Sequence, residues 1–260
     1  MFVGACGIAP GVAPSVLYLT DANGFFGSTV DAIRSMQLAA HLPPLLVVGI
    51  GYRMGALHET VAIRARDLTP TDDPAYARLF PEQSALGGAD AFLRFIRDEL
   101  VPWVERRYAV DPGDRAFFGH SLGGLFGAWT LLTAPDTFQR YVIGSPSLWW
   151  GGGGVIRARE EAYAGAHRDL PASVFFGIGA DETHEGRQRE AARQPEELRR
   201  KAFSRYVDMV DDMLRLVERL ERRGYPSLRL ASAVFPGEFH VTVPQLTLSR
   251  GLRFLYDAPQ

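Results

Sequence analysis

Lysine is nearly missing from this chain: Lys201 stands alone among 28 basic residues, the others being arginine. Acidic residues balance them to a net charge of −2, which removes the electrostatic case for nucleic acid or an anionic membrane as a partner. Cysteine is equally scarce. Cys6 has no second thiol to pair with, which excludes an internal disulfide and fits a reducing compartment. It sits in a Gly/Pro-rich stretch with no base nearby in sequence, so it reads as inert. No lysine or arginine precedes Arg34, leaving the start without the basic opening of a secretory signal. A cytoplasmic location is expected. The longest apolar runs, near Leu42 to Ile50, are too short to cross a bilayer.

What remains is a chain of 260 residues, 47% of them hydrophobic, enough for one large α/β domain spanning 1–260. Short apolar runs predict strands at Phe2 to Ala5, Val16 to Thr20, Leu45 to Ile50, Phe117 to Phe118, Tyr141 to Gly144, Ser173 to Gly179 and Ser227 to Val234. Between them, helical spacing predicts helices over 28–41, over 89–108 with Pro102 bending it, directly after Ser121, and over 198–223 with Phe203 and Tyr206 in its stripe and Gly224 as its cap. In the helix over 89–108 the stripe comprises Phe92, Leu93, Ile96, Leu100, Trp103 and Val104. The stretch from Tyr52 to Gly88, with Arg53 and His58, reads as a long irregular segment. Thr183 to Glu197 reads as a polar flap or solvated loop. Continuous apolar strands alternating with helices imply a mostly parallel central sheet covered on both faces. Ligands of such sheets bind beyond the carboxyl ends of the strands.

The chemistry centres on Gly119-His120-Ser121-Leu122-Gly123. A serine forced into a sharp strand-to-helix turn needs flanking residues without a Cβ, and the turn lifts its hydroxyl off the strand end. A hydroxyl is a weak nucleophile, so it needs a base, and the base needs an orienting acid. After Ser121 come Asp181 and Glu182, just past one strand, and then His240, just past the next. Glu182 is favoured by its distance from the strand-ending Gly179, with Asp181 the runner-up. His120 should turn away from Ser121; His41, His58, His167 and His184 lie in connections. The oxyanion hole is expected from the backbone N–H groups of Leu122 and Asn23, although Asp21-Ala22-Asn23-Gly24 also reads as an ordinary turn. No metal and no cofactor is called for.

These pieces resemble the putative esterase family of the α/β-hydrolase fold, which spans esterase D, feruloyl esterases, siderophore esterases and mycolyltransferases. The likeness is carried by Tyr18 to Asn23, Val48 to Tyr52, Arg66 to Pro70, Gly87 to Asp90, Gly119 to Gly123, Ser145 to Trp150 and Gly237 to His240. It implies Ser121 as nucleophile, His240 as base, Asn23 and Leu122 as oxyanion donors, and Arg66 and Trp149 lining the substrate pocket. Against the family pattern, Ala22 replaces a more usual glycine and the N-terminal strands look reduced. The expected activity is hydrolysis of small to medium acyl or aryl esters through an acyl-enzyme. A trilactone siderophore esterase, an acyltransferase and a non-catalytic binding protein are the alternatives.

Overall fold

The computed structural model describes residues 1–52, 57–83, 85–193, 196 and 207–257. Among them, β1 (Phe2–Cys6), β2 (Ser15–Leu19), β3 (Leu45–Gly49), β4 (Arg115–His120), β5 (Arg140–Gly144), β6 (Ser173–Gly179) and β7 (Arg229–Phe235) form one sheet. Its order is β1-β3-β2-β4-β5-β6-β7. Only the edge strand β1 is antiparallel to its neighbour; the other pairings are parallel. The mostly parallel α/β architecture expected from the sequence is the one observed.

Alternation along each strand divides the core in two. Val16, Tyr18, Phe117, Tyr141, Ile143, Val174 and Phe176 face one side, while Leu17, Leu19, Ala116, Phe118, Val142 and Phe175 face the other. Both sides are apolar, which is why these strands read as uninterrupted hydrophobic runs. Helices α1 (Ala22–Leu38) and α10 (Pro244–Tyr256) cover the second side. The first is covered by α2 (Leu57–Leu68), α4 (Ala89–Phe95), α5 (Val101–Arg107), α6 (Leu122–Thr133), α7 (Gly154–Ala166) and α9 (Met209–Arg223). Helices α7 and α9 are tied together by Glu160, fully buried between the guanidinium groups of Arg219 and Arg223. No helix among the described residues is long and apolar enough to cross a membrane.

Several element boundaries differ from the sequence reading. The helix expected over 28–41 begins at Ala22, because Asp21 takes a left-handed conformation and starts it; the same residue types make turns and helix starts. The segment expected to be irregular carries α2 and α3 (Pro74–Leu79), the latter capped by Asp73, whose side chain accepts from the Tyr76 amide. The polar stretch after Glu182 contains α8 (His184–Ala191), capped by the Thr183 side chain. Residues 198–206 of the expected long helix, with Phe203 and Tyr206, lie outside the described residues, as does Arg53. Between α4 and α5, Ile96–Leu100 forms a π-turn in which the Val101 amide reaches back to the Ile96 carbonyl. An α-helix would press the Pro102 ring against the Asp98 carbonyl; the wider turn accommodates it.

Helix α6 packs so closely on the sheet that a Cβ on Gly124 would lie 2.6 Å from the Gly144 oxygen and 2.9 Å from the Pro146 Cα. These are backbone atoms and cannot move aside singly. Gly124→Ala is therefore expected to cost about 1–3 kcal/mol of stability, against a helix-propensity gain of about 1 kcal/mol. A urea midpoint at or above that of the wild type would contradict this.

Candidate active site

The end of β4 and the start of α6 meet at Ser121, held at φ 61, ψ −118. This is a left-handed φ for a residue with a side chain, a conformation that persists only where the surroundings enforce it. A Cβ on Gly119 would collide with the Gly123 carbonyl, and one on Gly123 with the Thr20 hydroxyl. Glycine is therefore required on both sides of the turn. The Ser121 amide is anchored on the Gly144 oxygen at 3.0 Å, and its carbonyl accepts from Leu125 at 2.9 Å.

Two strands further along the sheet, the turn after β6 presents Glu182 with no exposed surface. Its Oε1 accepts from the Ser145 hydroxyl at 2.6 Å and the Gly179 amide at 3.0 Å. Its Oε2 lies 2.6 Å from His240 Nδ1. Asp181, the runner-up, is half-exposed and pairs instead with Arg189. His240 follows β7, whose terminal loop is stitched to the β6 loop by Ala180 and Asp181 amides donating to Phe235 and Glu238 oxygens. With Nδ1 against the carboxylate, Nε2 is the ring nitrogen left for proton exchange elsewhere.

Ser121 and His240 line one cavity of about 490 Å³, together with Asp21, Asn23, Phe25, Tyr52, Arg64 and His120. Asn23 occupies the first turn of α1, its side chain exchanging hydrogen bonds with the Tyr52 backbone. Leu122 opens α6, where a first-turn N–H has no intrahelical acceptor. Arg66 and Trp149 are not among the residues lining this cavity. Arg66, paired with Asp67 at 2.7 Å, lines an adjoining apolar cavity of about 590 Å³ that shares Tyr52. Trp149 lines a third, of about 640 Å³, with Asp72, Asp73 and Asp212.

Arg64, Ser145 and His120 take parts that the sequence reading did not give them. Arg64 grips Asp21 through two hydrogen bonds of 2.6 and 2.8 Å. Burial opposes its charge, but the Asp21 carboxylate more than offsets this and raises its pKa. Nothing in the sequence marked Arg64, because α2 itself was not read. Ser145 carried a signal: it directly follows the strand beside β4, on the same rim. His120 does not turn away from the site. Its Nε2 donates to the His240 carbonyl at 2.8 Å, and its ring lies 4.6 Å from that of His240. Burial first, then the neighbouring His240, push its pKa well below the ordinary imidazole value.

Residues 8–211 match the family model described as "Putative esterase". The chain belongs to that family. This esterase is 32% identical over 250 residues to the ferri-bacillibactin esterase BesA of Bacillus subtilis (strain 168), spanning 92% of this chain and 78% of the relative. It is 31% identical over 262 residues to the siderophore enterobactin esterase of Emericella nidulans, spanning 96% of this chain and 84% of the relative. Among solved structures, siderophore hydrolase EstA from Aspergillus nidulans aligns at a TM-score of 0.82 and 29% identity, covering 98% of this chain and 88% of that one. The esterase is thus an ester hydrolase of the α/β-hydrolase fold, and the non-catalytic alternative falls away.

The neutral, buried His120 has a consequence for acid stability. Below a pH of about 6.5 an unfolded imidazole takes up a proton, whereas the folded His120 does not until its depressed pKa is reached. Its contribution is intact above about pH 6.5 and is lost as the pH falls toward the depressed pKa, by up to about 1.4 kcal/mol per pH unit. Urea midpoints are expected to drop less steeply between pH 7 and 5 in His120→Asn than in the wild type. Equal slopes would show that His120 is protonated in the fold.

Proposed function

We propose that this protein hydrolyses an ester-linked siderophore through an acyl-enzyme, with Ser121 as nucleophile, His240 as general base and Glu182 as the acid that orients it. The observation carrying this reading is the 2.6 Å contact of His240 Nδ1 with a fully buried Glu182, on the cavity wall that also bears Ser121 at φ 61. The siderophore substrate rests on the relatives, named as esterases of ferri-bacillibactin, enterobactin and triacetylfusarinine C.

The steps follow from the groups present. Ser121 Oγ attacks the ester carbonyl while its proton passes to His240 Nε2. Glu182 holds the Nδ1–H tautomer and stabilises the imidazolium that forms. The carbonyl oxygen, now negative, is taken by the amides of Leu122 and Asn23 at the starts of α6 and α1, each donor contributing roughly 2.7–4 kcal/mol at the transition state. The C–O bond breaks, the leaving alcohol takes the proton from His240, and water repeats the sequence to release the acid and restore Ser121. An acyltransferase would differ only in admitting an alcohol in place of that water.

Room for a bulky substrate is provided by the two cavities that meet at Tyr52. Arg66, with half of its side chain exposed beside Asp67, offers a cationic edge in the second of them to an anionic arm of the substrate. Trp149, on the far cavity, has no part in this reading. We assign the activity to one domain, and to the cytoplasm on the strength of the buried, free Cys6. The broader reading is a carboxylesterase of simple aryl and alkyl esters, using the same three residues.

Ser121→Ala is expected to lower turnover of both a catecholate trilactone and p-nitrophenyl butyrate by at least about 10³-fold, and to abolish labelling by a fluorophosphonate. Equal rates in variant and wild type would remove the nucleophile assignment. Brisk wild-type turnover of the aryl ester with none of the trilactone would leave the carboxylesterase and reject the siderophore substrate.

A further inference from the structure

Ser145 lies immediately beyond β5, fully buried, with φ 36. Glycine adopts a left-handed φ without strain, and serine does not. The residue is nevertheless a serine, and its hydroxyl is spent on one contact: it donates to Glu182 Oε1 at 2.6 Å. Its amide donates to the Gly177 oxygen at 2.8 Å, which fixes the backbone from which that hydroxyl projects. Ser145 is not among the residues lining the Ser121 cavity, so it does not meet the substrate there.

A carboxylate without access to water stays ionised only if donors surround it. Glu182 has the Ser145 hydroxyl and the Gly179 amide on one oxygen and His240 on the other. Of these, only the Ser145 hydroxyl is a side chain that can be removed while the backbone and the His240 contact stay in place. Other charged groups near the pair among the described residues include Arg187 of α8, which feels the Glu182 carboxylate, and Asp21 and Arg64, which line the cavity with His240, while His120 beside His240 is neutral.

We propose that Ser145 is a positioning residue, holding the Glu182 carboxylate aimed at His240. This rests on the reading of Ser121, His240 and Glu182 given above. Losing the hydroxyl leaves Oε1 with the Gly179 amide alone. The carboxylate is then held on that side by one backbone donor only, and its hold on the His240 ring loosens.

The test compares Ser145→Gly and Ser145→Ala with the wild type on p-nitrophenyl butyrate. Glycine removes the hydroxyl and the backbone strain together, so Ser145→Gly is expected to melt no lower than Ser145→Ala. Both variants should lose about tenfold or more in kcat, with KM within about twofold. Wild-type kcat would overturn the role, and so would a change confined to KM. Failure of both variants to fold would make Ser145 part of the scaffold and overturn it equally. Ser121→Ala is assayed alongside: full activity there removes the nucleophile reading, and the role of Ser145 with it, whatever the Ser145 variants do.

Discussion

A carboxylate sealed from water must find donors or take up a proton, and Glu182 is sealed completely. Its partners come from the ends of three consecutive strands: Ser145 after β5, Gly179 at the end of β6 and His240 after β7. They converge because those strands are parallel and in register, with Gly144 opposite Gly177 and Gly179 opposite Phe235. A slip of one residue in either pairing would reverse the side chains at the strand ends. The apolar core is therefore what aims the polar site. Tyr141, Ile143, Val174, Phe176 and Ile178 on one face, with Val142 and Phe175 on the other, leave the two strands a single way to lie.

The same rim concentrates the backbone strain. Ser121 and Ser145 follow adjacent strands, and both hold a φ that glycine would accept more readily. Strain of this kind costs on the order of 1–3 kcal/mol per residue and survives because neighbouring groups leave no alternative. Helix α6 presses on the sheet through Gly124 and Gly127, and the Ser121 amide and carbonyl are both engaged. At the opposite side of the opening, Arg64 locks Asp21 and with it the start of α1. The cavity is thus walled by the beginnings of two helices and the ends of the central strands, each held by the contacts above.

Much of this was legible in the sequence wherever one physical requirement admits few residue types. Continuous apolar runs gave the strands their places, and the Gly119–Gly123 frame marked the turn, since both glycines face atoms that a Cβ would strike. Strand-end positions brought Glu182 and His240 into consideration, and the structure joins them. The spacing beyond Gly179 already favoured Glu182 over Asp181, and packing buries Glu182 against His240 while Asp181 pairs with Arg189. Helices α2 and α3 were missed because few of their apolar residues reach the core: among the described side chains of α2 only Ala65 and Leu68 do, while Ile63 points to solvent, so no clean stripe stands out. Arg66 and Trp149 went to neighbouring cavities because sequence adjacency to a family motif does not fix the direction of a side chain. Arg64, two residues from Arg66, reaches the cavity instead.

The π-turn between α4 and α5 shows how one residue can reassign an interior. In an uninterrupted α-helix Trp103 would share a face with Phe92 and Ile96, seven and eleven positions being nearly whole numbers of turns, and the sequence pattern placed it there. The extra residue rotates everything beyond Leu100 by about 100°. Trp103 is consequently 40% exposed, while Val104 is fully buried in its stead. The phase of this helix, set by its length between Phe95 and Val101, decides which side chain the core receives. A relative one residue shorter at that point would have to find space inside for an indole where this chain needs room only for an isopropyl group.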